Sequence, residues 1–125
     1  MNEQGFRDLD AGDAALGILR SHTWPDNARL MHNAVAEVLR AEGFTVVTEY
    51  FVRGAFGYSN GRIDIVARRD GGHVAIELDA RRPRERSVAK LNKVEAYRII
   101  GLRGVDFPPP PGIDAIACMP VRGAA

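Results

Sequence analysis

The chain has 125 residues, 46% hydrophobic and 26% charged, with a net charge of +1; that is the composition of one ordinary globular domain, read here as a single domain over 1–125. It has no run of eighteen apolar residues, so no membrane-spanning helix is expected, and the polar, acidic start Met1–Asp8 does not suit a secretory signal. The one cysteine, Cys118, excludes an internal disulfide; within the apolar run Ile113–Met119 it reads as a buried structural thiol, which fits a reducing, cytoplasmic setting.

Residues 1–25 are weakly patterned and read as an N-terminal extension, with a short helix predicted over Asp13–Arg20. Trp24-Pro25 breaks the chain. Asp26 is a good N-cap for a helix from Asn27 to about Glu42, with Met31, Val35, Val38 and Leu39 on one face and Gly43 at its end. A first strand follows from Phe44 to about Arg53. Residues 54–61 hold three glycines and the aromatics Phe56 and Tyr58, and read as a hairpin loop. Arg62–Ala67 and His73–Ala80 are the next two strands, joined by a turn at Arg69–Gly72. Arg81–Arg86 is a basic loop kept from strand by Pro83. Ser87 caps a second helix to about Tyr97. Arg98–Arg103 is a fourth strand, 108–112 a stiff proline-rich linker, and Ile113–Met119 a fifth strand. The fold class is therefore α/β: a mixed sheet of four or five strands flanked by helices.

The third strand carries the chemistry. Side chains alternate along a strand, so Val74, Ile76 and Leu78 face one way and Glu77 and Asp79 the other. Hairpin pairing brings Asp64 close to Glu77. Carboxylates gathered on an otherwise apolar sheet repel one another, and a divalent cation removes the conflict. Hard oxygen ligands suit Mg²⁺ (or Mn²⁺), and such a centre supports metal-assisted phosphodiester hydrolysis.

The order of elements around these residues resembles the PD-(D/E)XK nuclease superfamily, from about Asn27 to about Leu102. The matching parts are the helix from Asn27, the strand Thr45–Tyr50, Gly61–Val66 with Asp64, Ala75–Asp79 with Glu77, and the helix from Ser87. The resemblance implies a restriction-endonuclease-like core of the Holliday-junction-resolvase kind, with Asp64, Glu77 and Asp79 in the catalytic positions. The third position is usually Lys, thought to orient or activate the attacking water; some active restriction endonucleases carry Glu or Gln there. A cation that has migrated is available from Arg81, two residues along the same face, or from Lys90 on the following helix. Related nucleases often add an acidic residue from the first helix or strand. Glu49 is a candidate for that role, although it reads more readily as a surface residue until the strand register is known.

Other side chains carry less. His32 flanks the apolar face of the first helix, where it can hydrogen-bond the site or serve as a structural histidine. Glu37 points away from that face. His22 and His73 have no zinc-ligand spacing.

Charge is asymmetric: residues 1–50 carry four basic and eight acidic side chains, residues 51–125 thirteen and eight. The basic half holds the carboxylates, which suits a polyanionic partner. Arg62, Arg81, Arg82, Arg84, Arg86, Lys90 and Lys93 are the candidate DNA contacts. Arg86, Lys90, Lys93 and Tyr97 fall on the helix side opposite Val88, Leu91 and Val94, which is either a solvated stripe or a phosphate-contacting face.

The resemblance thus implies a metal-dependent endodeoxyribonuclease, with the cation held by Asp64, Glu77 and Glu49 and a homodimer where both strands are cut. Branched, damaged or mismatched DNA, or a restriction-type target, fits that expectation. Two alternatives stand beside it: a catalytically silent DNA-binding fold, and a protein-interaction module that docks through the acidic N-terminal half.

Overall fold

A computed structural model describes residues 2–54 and 60–122. The element order is α1 (Glu3–Ser21), α2 (Ala28–Ala41), β1 (Thr45–Arg53), β2 (Asn60–Arg69), β3 (Gly72–Asp79), α3 (Glu85–Leu91), β4 (Tyr97–Arg103) and β5 (Ala115–Met119). The strands form one five-stranded sheet in the order β1-β2-β3-β4-β5. The first three are antiparallel neighbours, and β4 and β5 add in parallel. The expected α/β class, a mixed sheet flanked by helices, is what the chain forms.

Strand alternation sorts the core into two clusters. Val74, Ile76, Ile99, Ala115 and Ala117 pack with Leu19 of α1 and with Met31, Val35 and Leu39 of α2. Ala75, Ile100, Leu102 and Ile116 face the opposite side and pack with Leu91 of α3. The Asp70-Gly71 turn between β2 and β3 has positive φ at both residues, 53° and 81°, as tight hairpin connections prefer.

Several boundaries differ from expectation, each for a local reason. The first helix extends over all of Glu3–Ser21, because Asn2 caps it and accepts from the Gly5 amide. Asn27, not Asp26, caps α2: its side chain accepts from the Leu30 amide, while Asp26 pairs with Arg103 at 3.3 Å. Gly43 does sit beyond the helix end, with φ 92°. The helix expected over Ser87–Tyr97 spans only Glu85–Leu91, with Arg84 at its N-cap position. Ser87 lies inside it, and Tyr97 opens β4. Phe56 and Tyr58 lie outside the described residues. Cys118 is half-buried on β5 rather than fully enclosed.

Candidate functional site

The site begins where the sheet splits. Pairing between β2 and β3 runs from Arg69/Gly72 only as far as Ile65/Ile76, while β2 stays paired with β1 out to Asn60. At the next step, side chains replace the backbone ladder. Glu77 Oε2 accepts from the Asp64 amide at 2.7 Å, and Asp64 Oδ2 accepts from the Leu78 amide at 2.8 Å. The β-hairpin also changes face here: Ile65 packs in the first cluster and Ile63, two residues away, in the second. Opposite Asp64, between the pairs Thr48/Ile65 and Tyr50/Ile63, stands Glu49 with φ 54°. Left-handed backbone at a non-glycine residue costs about 1–3 kcal/mol and tends to occur at functional sites. The register thus puts Glu49 across from Asp64.

Glu77 is the electrostatic centre. It is 0% exposed, and burial pushes its carboxyl up to about 7; the charge of Asp64 adds to the rise, and contacts with Lys90 and the Asp64 amide oppose it. Its Oε1 lies 2.6 Å from Lys90 Nζ as an ion pair, and among the described residues no donor of regular hydrogen-bond geometry reaches that oxygen. Lys90 Nζ also donates to the Arg62 carbonyl at 2.8 Å. Gly61 makes the approach possible, since a Cβ there would stand 2.9 Å from Lys90 Cδ. Lys90 is therefore not part of an exposed stripe. It is 8% exposed, and a short helix lying over the split sheet turns it inward.

On the other side of Asp64, ligand atoms of His32, Glu49 and Asp64 lie within 4.8 Å of one another. Asp64 and Glu49 give the hard oxygen donors that Mg²⁺ or Mn²⁺ prefers, one or two carboxylates with room for water. His32 Nε2 lies 3.1 Å from the Asp64 carbonyl oxygen and 3.6 Å from Glu49 Oε1. With its proton on Nε2, His32 donates to that carbonyl and holds the β2 backbone rather than a metal. The donor set fits the expected cation at Asp64 and Glu49. Glu77, engaged by Lys90 and by the Asp64 amide, is outside this group.

Asp79 is not brought to the cluster. Its side chain accepts from the Arg84 amide at 2.9 Å, Arg84 Nε at 2.9 Å and Ser87 Oγ at 2.8 Å. It anchors the start of α3. Of the expected DNA contacts, Arg62, Arg86 and Lys90 line an open cavity of about 470 Å³ with Glu49, Phe51 and Asp64. Arg84 is spent on Asp79, and Arg81 donates to the Arg103 carbonyl at 3.3 Å. Arg82 and Lys93 are exposed outside the cavity lining. Phe51 is an addition that strand alternation does not signal, because the backbone at Glu49 is left-handed and breaks the period of two. Glu37 is exposed on α2. A larger hollow of about 580 Å³, between Arg20 and Phe107, holds no group of metal-ligating side chains among the described residues.

No protein-family model matches the chain, and no curated protein is similar to it. Among solved structures, the chain is similar to the crystal structure of AF1548, a protein of unknown function. The two are 25% identical with a TM-score of 0.46 over 57% of this chain. The match spans 44% of that protein, less than half its length. Among the described residues, no helix is long and apolar enough to cross a membrane.

Proposed function

We propose that the chain is a metal-dependent endodeoxyribonuclease of the PD-(D/E)XK type, working at Asp64, Glu77, Lys90 and Glu49. The observation that carries this reading is the 2.6 Å contact of Lys90 Nζ with Glu77. It supplies, from the following helix, the cation that the Asp79 position lacks. A Mg²⁺ or Mn²⁺ ion held by Asp64 and Glu49 would supply Lewis acidity and a water of lowered pKa. The chain's own groups do the rest. Lys90 puts positive charge at the cavity floor, where a phosphate is held. Glu77, with a carboxyl poised at about 7, can hold or release a proton beside Asp64 at working pH. Arg62 and Arg86, in the wall of the same cavity, suit phosphate contacts that give affinity without sequence choice. This reading asks for a homodimer where both strands are cut.

A second reading, DNA binding without turnover, is favoured by one observation: both oxygens of Glu77 are already engaged, by Lys90 and by the Asp64 amide. Nicking of supercoiled plasmid in Mg²⁺ or Mn²⁺ separates the two. The nuclease reading expects metal-dependent nicking that falls at least about 100-fold in Asp64→Ala. Wild-type protein that binds DNA at low salt but does not nick in either metal would replace it with the silent fold. Absence of salt-dependent DNA binding would remove both.

A further inference from the structure

The cavity beside Asp64 is polar except at one wall. Glu49, Asn60, Arg62, Asp64, Arg86 and Lys90 line it, and Phe51 is the aromatic side chain of the lining. Phe51 is 52% exposed. A single exposed aromatic is ordinary on a protein surface; an aromatic ring in a cavity also lined by two arginines and two carboxylates is a narrower observation. Its position is fixed by register. Phe51 pairs with Arg62, and Glu49, two residues back, stands across from Asp64. Strand alternation is broken at Glu49 and Asp64, yet Phe51 and Arg62 line the same cavity as those two carboxylates. Two residues of strand advance about 6.6 Å, the scale of one nucleotide step.

We propose that Phe51 is a base-stacking subsite that takes an unpaired nucleobase next to the phosphate held at Asp64, so that the substrate class is a single-stranded or locally unpaired polynucleotide. The inference rests on the reading of this cavity as a phosphodiester site. Stacking on an aromatic ring needs a free base face, and every base offers one regardless of sequence. In a duplex those faces are covered by neighbouring pairs, so the ring selects an opened strand. Arg62 and Arg86 neutralise the backbone on either side of the stacked base. The expected ligand is then recognised by an apolar face plus phosphate charge, without hydrogen bonds to base edges.

The test is binding of a short oligodeoxynucleotide carrying 2-aminopurine, in EDTA so that no turnover occurs. The full chain is expected to quench the fluorophore and to bind the single strand more tightly than the matching duplex. Phe51→Ala should weaken single-strand binding about five- to 150-fold and leave duplex binding unchanged. Phe51→Trp should keep both affinity and quenching, which guards against a fold defect, as does an unchanged melting temperature. Single-strand affinity in Phe51→Ala equal to wild type, or binding without quenching, overturns the proposal. An oligoribonucleotide of the same sequence is the second arm; Phe51-dependent binding to either sugar supports the subsite, and the preference names the polymer. The outcome separates from the nuclease reading: quenching without nicking removes catalysis and keeps the subsite, whereas nicking with no effect of Phe51→Ala does the reverse.

Discussion

Glu77 and Asp79 sit two residues apart on one face of β3, and both are buried, at 0% and 4% exposure. Their surroundings are opposite in kind. Asp79 has three donors, from Arg84 and Ser87, and ties the sheet to the start of α3. Glu77 has a carboxylate neighbour, one amide donor and an ammonium group out of hydrogen-bond alignment. Asp79 is a satisfied structural acid, whereas Glu77 is held in tension between Asp64 and Lys90. A carboxyl perturbed by burial and a specific charge, beside a cavity, is where chemistry is expected. Sequence proximity to a motif does not separate the two residues; the count of donors does.

The largest effect that tests this contrast is on stability. Asp79→Ala leaves the Ser87 hydroxyl and the Arg84 amide without their acceptor inside the protein, and is expected to cost about 3 kcal/mol in urea unfolding. Cleavage per folded molecule should change by no more than a few-fold. If nicking collapsed while stability held, Asp79 would belong to the chemistry and the contrast would fail.

Lys90→Met comes next. It keeps much of the stem's volume beside Gly61 but removes the ammonium, and leaves Glu77 to neutralise itself by taking up a proton. Removing one partner of a buried pair can cost 3–5 kcal/mol; the raised Glu77 pKa limits the loss here to about 2 kcal/mol. Plasmid nicking should fall far more than unfolding alone explains, about 100-fold, because the charge at the cavity floor is lost. Arg81→Met, the other candidate for a migrated cation, should leave nicking within a few-fold, since Arg81 is engaged with the Arg103 carbonyl.

Much of this arrangement is legible in the sequence, and the illegible parts share a cause. The alternation Val74, Ile76, Leu78 against Ala75, Glu77, Asp79 is local, and it sorts as the period of two demands. The Arg69–Gly72 turn announces itself through its Asp-Gly pair, and the start of α2 through a capping side chain, although the sequence points to Asp26 and the structure uses Asn27. The choice of Asn27 over Asp26 turns on Arg103, seventy-seven residues away, which holds Asp26. A helical wheel puts Lys90 opposite Leu91 and Val88, but such a wheel assumes that one face meets solvent. The seven-residue α3 lies over a split between strands, so Lys90 and Leu91 both point inward. The change of face between Ile63 and Ile65 depends on where β2 leaves β3, and no run of residues encodes that directly.

The smallest expected effect is a pH dependence. In the folded chain the Glu77 carboxyl is raised from 4.5 to about 7, chiefly by burial, with Asp64 adding and Lys90 opposing. Between those two values the folded state binds more protons than the unfolded state. Stability must therefore fall as pH rises through that window, and level off above it. The full contribution is present below about 4.5 and lost above about 7. Its size is on the order of 2 kcal/mol, after allowing for the Lys90 pairing that favours the charged form. Urea midpoints from pH 5 to 8, taken in EDTA, should decline for wild type. Glu77→Gln cannot titrate, so its midpoint should lose that decline and its curve should cross the wild-type curve as pH rises. Parallel curves for the two proteins would mean that Lys90 already holds Glu77 ionised throughout. The tension that distinguishes Glu77 from Asp79 would then be absent, and with it the reason to prefer Glu77 as the proton-handling group.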